Sequence, residues 1–287
     1  MVWLFRHVCG LVLLALLVSK PLYAETLKVP LPAGREEHYA LQTGLLELAL
    51  TYAPGQHRLE LVAVDGLSQK RAFSLLSEGE VNVVLAGYSR AAEHDLLQID
   101  FPLTKGLQGY RLLITRADNL KMLDRVENQA DLRSICIGSG NSWVDTVILK
   151  HAGLCVTGGP GTSLYTMLEN RRFDAMHLAI HEVKTGNIAK LIKQHGLAVY
   201  ENVLLRYPYD FYFYLGKDSQ SLHDEIEQGF RAAVKDGAID RYFIEHPTIS
   251  AALGFLRDHP GLHIIDLDNP EMTDQTSSDL YRYWFGN

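Results

Sequence analysis

Between Val81 and Arg116 the chain reads VNVVLAGYSRAAEHDLLQIDFPLTKGLQGYRLLITR. An apolar run, Val81 to Ala86, stops at Gly87 and delivers Tyr88, Ser89 and Arg90 to its end. Hydroxyls and a guanidinium there offer donors and a planar fork for a carboxylate or phosphate. Ligands of open α/β sheets sit at such strand ends. The same three residues also suit a solvated helix start with Ser89 as its cap. A second constellation, Gly138-Ser139-Gly140-Asn141-Ser142-Trp143, opens a helix after the Cys136 run. Its glycines let backbone amides approach an anionic group, with Ser139, Asn141 and Ser142 as polar contacts and Trp143 as a wall. The alternative is an ordinary turn capped by Asn141.

Two further polar residues interrupt apolar runs. Arg111 is a second clamp for a carboxylate, or a partner for Asp100; His177 is a cleft residue or a packed core histidine. The glycine-rich stretch 158–163 imitates a phosphate loop but lacks its lysine, which leaves Thr162 or Ser163 as a helix cap that can also touch a ligand. Tyrosines crowd 207–214 and suit either an aromatic cleft or strand packing. No Gly-x-Ser-x-Gly elbow, His-Glu-x-x-His or paired-cysteine metal motif occurs, so the sequence assigns no catalytic residue, no metal and no cofactor.

The elements that must position these residues alternate. Leu27 to Leu31 reads as a strand, 36–52 as a helix with Leu41, Leu45, Leu48 and Tyr52 on one face, and Leu59 to Val64 as a strand. A Ser68-capped helix to about Glu78 and the Val81 strand follow, so this order predicts a parallel sheet with helices on both faces. A second α/β series runs from Tyr110 to Leu204, and 209–215 reads as a strand returning to the first. Helices follow from 221, then a short strand 263–267 and a helix 280–285.

The N-terminus has the three parts of a secretory signal: Arg6, the apolar run Leu11 to Val18, and a cleavage site after Ala24. An uncleaved anchor is the alternative. Residues 1–24 contain two basic side chains and no acid, so 25–287 carry 25 basic against 34 acidic groups, a net charge of −9. That balance argues against nucleic acid and anionic membrane surfaces. Cys136 and Cys155 lie in two apolar runs separated by one helix. Both a disulfide, favoured by an oxidising compartment, and two buried thiols remain open.

The 81–116 stretch resembles the type II periplasmic solute-binding proteins, in the branch for amino acids and other small polar solutes. Asn82, Gly87, Asp100, Phe101, Pro102 and Gly106 fall at that pattern's marks, with Asn82 where an Asp is usual. The resemblance implies a two-lobed α/β fold with two crossing strands as hinge and a cleft between the lobes. Lobe 1 would be 25–108 plus 212–287, and lobe 2 would be 109–211. It also implies a periplasmic monomer that captures a small polar or aromatic solute by lobe closure. The partner would be a membrane permease of the ABC type or, alternatively, a membrane signalling protein. His94 stands where such proteins carry an arginine for the substrate carboxylate, and no acid follows the 175–180 run until Glu182. An α-amino acid ligand is therefore not expected.

Overall fold

The computed structural model describes residues 25–183 and 186–284. The expected signal segment 1–24 and the end of the expected helix 280–285 lie outside these residues. The first part runs β1 (Glu25–Pro32), α1 (Ala40–Tyr52), β2 (His57–Val64), α2 (Gln69–Ser77), β3 (Val84–Gly87), α3 (Arg90–Asp95) and β4 (Leu97–Gln98). The second runs β5 (Tyr110–Arg116), α4 (Leu120–Leu123), α5 (Gln129–Leu132), β6 (Cys136–Gly140), α6 (Asp145–His151), β7 (Cys155–Gly159), α7 (Leu164–Glu169), β8 (Ala175–Ala179), α8 (Ile180–Val183), α9 (Gly186–Gln194) and β9 (Leu197–Arg206). The return consists of β10 (Phe211–Leu215), α10 (Gln220–Lys235), α11 (Ala238–Glu245), α12 (Pro247–Asp258), β11 (His263–Asp266) and α13 (Asp274–Arg282).

Local chemistry explains these elements. The Ser68 hydroxyl accepts from the Arg71 amide and starts α2, and α1 buries Leu41, Leu45, Leu46 and Ala49 along one stripe. β10 alternates: Tyr212 and Tyr214 enter one apolar cluster, Phe213 and Leu215 the other. Both clusters contain residues of both α/β series, so apolar packing is continuous from one lobe to the other.

In the first lobe β1 pairs in parallel with β2, while β3, β10 and β4 form an antiparallel set. The two are tied at Lys28, whose carbonyl accepts from the Asn82 and Val83 amides while its own amide donates to Asn82 Oδ1 (2.6 Å). The Asn82 side chain needs only an acceptor oxygen there, which explains why an amide can stand where an Asp is usual. The second lobe is one sheet ordered β11-β9-β5-β8-β6-β7, with β6 parallel to β7 and β8, and β5 antiparallel to β8 and β9. Cys136 and Cys155 face each other in the β6–β7 register and are disulfide-bonded, with Cα atoms 4.6 Å apart. A bridge closing a loop of this size contributes about 3 kcal/mol by restricting the unfolded chain.

One assignment changes. β11 hydrogen-bonds to β9, so the C-terminal segment enters the second lobe's sheet before α13 returns to the first. There Thr276 accepts from Gln98 and donates to Glu93. The expected placement of 212–287 wholly in lobe 1 does not hold for 263–266. The chain therefore crosses between lobes four times.

The two central crossings are bonded to each other through Asp210, which is fully buried. Its Oδ1 accepts from the Thr104 and Phe211 amides (2.9 and 2.7 Å), and its Oδ2 from the Thr104 hydroxyl and the Gly106 amide (2.9 and 2.6 Å). Gly106 has φ +86, a conformation only glycine adopts freely. Gly109 lies against the Tyr207 carbonyl so closely that a Cβ would be 1.9 Å from it. Asp210→Asn would turn an amide donor toward backbone donors. It is expected to lower stability by roughly 3 kcal/mol in urea unfolding; an unchanged midpoint would contradict this role.

Candidate functional site

Strand alternation puts three polar side chains on one face of the second sheet. Arg111 on β5, His177 on β8 and Ser139 on β6 occupy neighbouring strands and share that face with Leu113, Ala179 and Ile137. They lie toward the ends of β6 and β8 from which α6 and α8 depart. These two helices add the acids: Asp145 from the first turn of α6 and Glu182 from α8.

Arg111 is the centre of the group, with 3% of its surface exposed. One terminal nitrogen pairs with Asp145 Oδ1 and the other lies 3.5 Å from Glu182 Oε2. Its guanidinium carbon stands 5.8 Å from the Tyr207 ring centroid and 5.5 Å from that of Tyr209, within cation–π reach of both. Nε has no hydrogen-bond partner among the described residues. The Tyr207 hydroxyl donates to Asp145 Oδ1 (2.6 Å), and the Ala179 amide donates to Glu182 Oε2 (2.8 Å).

Contacts from the first lobe complete the group. His38, just after β1, places Nε2 3.5 Å from Glu182 Oε1, and Asn187 of α9 donates to Glu37 (3.1 Å). The Tyr209 hydroxyl lies over Gly87, where a Cβ would meet it at 2.0 Å. The glycine that ends β3 thus makes room for a hinge tyrosine.

Burial governs the charges. It acts to lower the basicity of Arg111, but Asp145 and Glu182 outweigh it and the guanidinium stays charged. Burial pushes Glu182 up, yet His38 and Arg111 together hold it well below the usual carboxylate range. His177 falls from 6.5 to about 4 because its fully buried ring cannot be solvated as a cation. His181 falls to about 4 for the same reason.

Ser139, His177 and Asp145 have the order of a hydrolytic triad without its geometry. His177 Nε2 lies 3.1 Å from Ser139 Oγ, but Nδ1 is 3.9 Å from Asp145 Oδ1, beyond hydrogen-bond reach. That oxygen is already taken by Arg111 and Tyr207. Thr146 Oγ1 lies 2.8 Å from Ser139 Oγ, and both Ser139 and His177 are fully buried.

Of the residues singled out in the sequence, the structure gathers Arg111, Ser139, His177 and Trp143, the last edge-on to His177 at 5.8 Å between ring centres. Arg111 does not pair with Asp100. Tyr88, Ser89 and Arg90 go elsewhere. The Tyr88 hydroxyl donates to Glu93 (2.9 Å) and accepts from the Thr273 amide (3.2 Å). Ser89 caps α3, and Arg90 donates to the Pro270 and Glu271 carbonyls. Asn141 and Ser142 are exposed, and Thr162 lines a separate surface groove with Ser163 and Arg172. The sequence reading missed Asp145 altogether; an acid in the first turn of a helix is too common a signal. Glu182 was visible only as the first acid after the β8 run. Among the described residues no group of three or more His, Cys, Asp or Glu side chains is arranged to hold a metal ion, and no helix is long and apolar enough to cross a membrane.

Two α/β lobes, central crossings and a polar group at their junction define the two-lobed fold of type II periplasmic solute-binding proteins. No family model matches the chain, and no curated protein matches it by sequence. Solved structures do match. The amino acid ABC transporter substrate-binding protein AbpA of Streptococcus pneumoniae, bound to L-arginine, is 14% identical with a TM-score of 0.54, over 79% of this chain and 95% of that one. The probable amino-acid ABC transporter extracellular-binding protein ytmK of Bacillus subtilis is 14% identical with a TM-score of 0.56, over 79% and 99%. A histidine kinase sensor domain with similarity to periplasmic binding proteins is 12% identical with a TM-score of 0.54, over 76% and 94%.

The two buried histidines carry a pH dependence. Each has a folded value below its unfolded one, so between about pH 6.5 and 4 the unfolded chain binds protons that the folded chain does not, and stability falls as pH falls. Asp210, raised by burial to about 7, works in the opposite sense and offsets part of this. The urea midpoint is expected to drop between pH 7 and pH 4.5, and His177→Asn should make that drop shallower. An equal drop in wild type and variant would show that His177 is not buried as the neutral base.

Proposed function

We propose that the protein is a periplasmic solute-binding protein that captures a small polar or aromatic solute by closure of its lobes and delivers it to an ABC-type importer. The observation that carries this reading is the Arg111 group. Charged, hydroxyl and aromatic side chains from α6, α8, β5 and the 206–211 crossing converge where His38 and Gly87 of the other lobe meet them. Recognition sites for small solutes combine a few converging polar groups with apolar and aromatic walls. The likeness to substrate-binding proteins of amino-acid ABC transporters supports the same reading. So does the sealed Ser139–His177 pair, which suits positioning better than turnover.

The ten residues Tyr88, Ser89, Arg90, Arg111, Ser139, Asn141, Ser142, Trp143, Thr162 and His177 divide under this proposal. Arg111 marks the solute site, Trp143 walls it and the sealed Ser139–His177 pair backs it; Asn141 and Ser142 border its entrance; the remainder hold the scaffold. Export through the 1–24 signal and action as a monomer belong to the same proposal.

A second reading is a sensor that reports solute to a membrane signalling partner. The likeness to a histidine kinase sensor domain favours it, as does a site filled by the protein's own tyrosines.

A thermal-shift screen of amino acids, guanidino compounds, polyamines, dicarboxylates, sugars and aromatic acids separates binding from its absence. A solute at ~100 times its Kd adds ~2.7 kcal/mol. A hit that Trp143→Ala weakens at least ten-fold is the expected result. No stabilisation by any class would contradict solute capture.

A further inference from the structure

The contacts of Arg111 are those a bound organic cation would make. Its guanidinium is almost fully buried, pairs with one carboxylate, stands near a second, and lies over two tyrosine rings. Two carboxylates, Asp145 and Glu182, face the guanidinium, and Glu182 also meets His38. Nε, buried and without a partner among the described residues, lacks the acceptor that an optimised structural ion pair would supply. Buried ion networks of this kind rarely improve stability over apolar packing, because desolvation cancels the attraction. A purely structural cause for keeping three charges here is therefore weak.

The location gives the cause. Arg111 lies at the start of β5, directly after a crossing, and Glu182 is shared between it and His38 of the other lobe. Tyr209, one of the two rings, covers Gly87 of that lobe. Whatever fills the space between Asp145, Glu182, Tyr207 and Tyr209 thus sets how Glu182 and Tyr209 are presented across the junction.

We propose that the Arg111 side chain is an intrachain occupant of the solute site: it holds the carboxylates and rings that an entering organic cation would hold, and closes the lobes without solute. The inference rests on the reading of this junction as a solute site and adds its regulation and ligand class. Entry requires displacement of the Arg111 head group. The class that can replace it has a planar cation with several N–H donors, a guanidinium or an amidinium. Self-occupancy lowers the apparent affinity by the fraction of molecules in which Arg111 has withdrawn.

The test is chemical rescue. Arg111→Ala leaves a guanidinium-shaped space lined by two acids and two rings. Its melting temperature is expected to fall below wild type and to rise again with methylguanidinium, by roughly 3–5 °C at about ten times the Kd. Urea, planar but neutral, and tetramethylammonium, charged but without N–H donors, should not rescue. Wild type should bind methylguanidinium at least ten-fold more weakly than the variant. Should Arg111→Ala fail to fold, Arg111→Ala/Glu182→Gln, which strands one charge fewer, carries the same titration. Equal stabilisation by urea, equal binding to wild type and variant, or no rescue of either folded variant would overturn the proposal. A solute found by the broad screen alongside absent rescue would sink the occupant and leave solute capture standing. Rescue together with a silent screen would do the reverse.

Discussion

A guanidinium with no access to water must be surrounded by charge and aromatic faces, and that constraint organises the junction of this protein. Arg111 draws Asp145 from the first turn of α6, Glu182 from α8 and two tyrosine rings from the 206–211 crossing into one group. Each partner is then held by a second contact: Asp145 by the Tyr207 hydroxyl, Glu182 by the Ala179 amide and by His38. The strands supply the alternation that aims Arg111, Ser139 and His177 at one side, and the crossings supply the rings.

Asp210 does for the backbone what Arg111 does for the side chains. Its carboxylate gathers four donors from both central crossings, so the segments at the lobe junction are bonded to each other rather than lying as separate linkers. A third strap comes from the C-terminal segment, which pairs with β9 and then turns over Tyr88 and Arg90 to reach α13. Motion about this junction would be confined by all three.

The α/β order, the Ser68 cap and the strands carrying Arg111 and His177 were legible because hydrophobic period and capping chemistry are local; Ser139, read as part of a helix-opening turn, lies instead on β6. Two short apolar runs around one helix left a disulfide and two free thiols equally open, and the β6–β7 register pairs the two cysteines. What the sequence hid depends on distance along the chain. Arg90 reads as a free fork at a strand end until a segment 180 residues away supplies carbonyls for it. β11 reads as a short apolar strand whose partner no local pattern names. Asp145 and Glu182 read as common helix-start acids, and only the sheet order β5-β8-β6 shows that both converge on Arg111.

The central claim is that side-chain pairing at Arg111, rather than solute alone, holds the lobes together. Spin labels at the exposed positions Leu61 on β2 and Val147 on α6, introduced as Leu61→Cys and Val147→Cys, report the separation of the lobes by pulsed electron resonance. The account predicts one short, narrow distance distribution in the solute-free protein and a longer, broader one when Arg111→Ala is added. A solute-free protein that already shows the longer distribution, unchanged by Arg111→Ala, would contradict it.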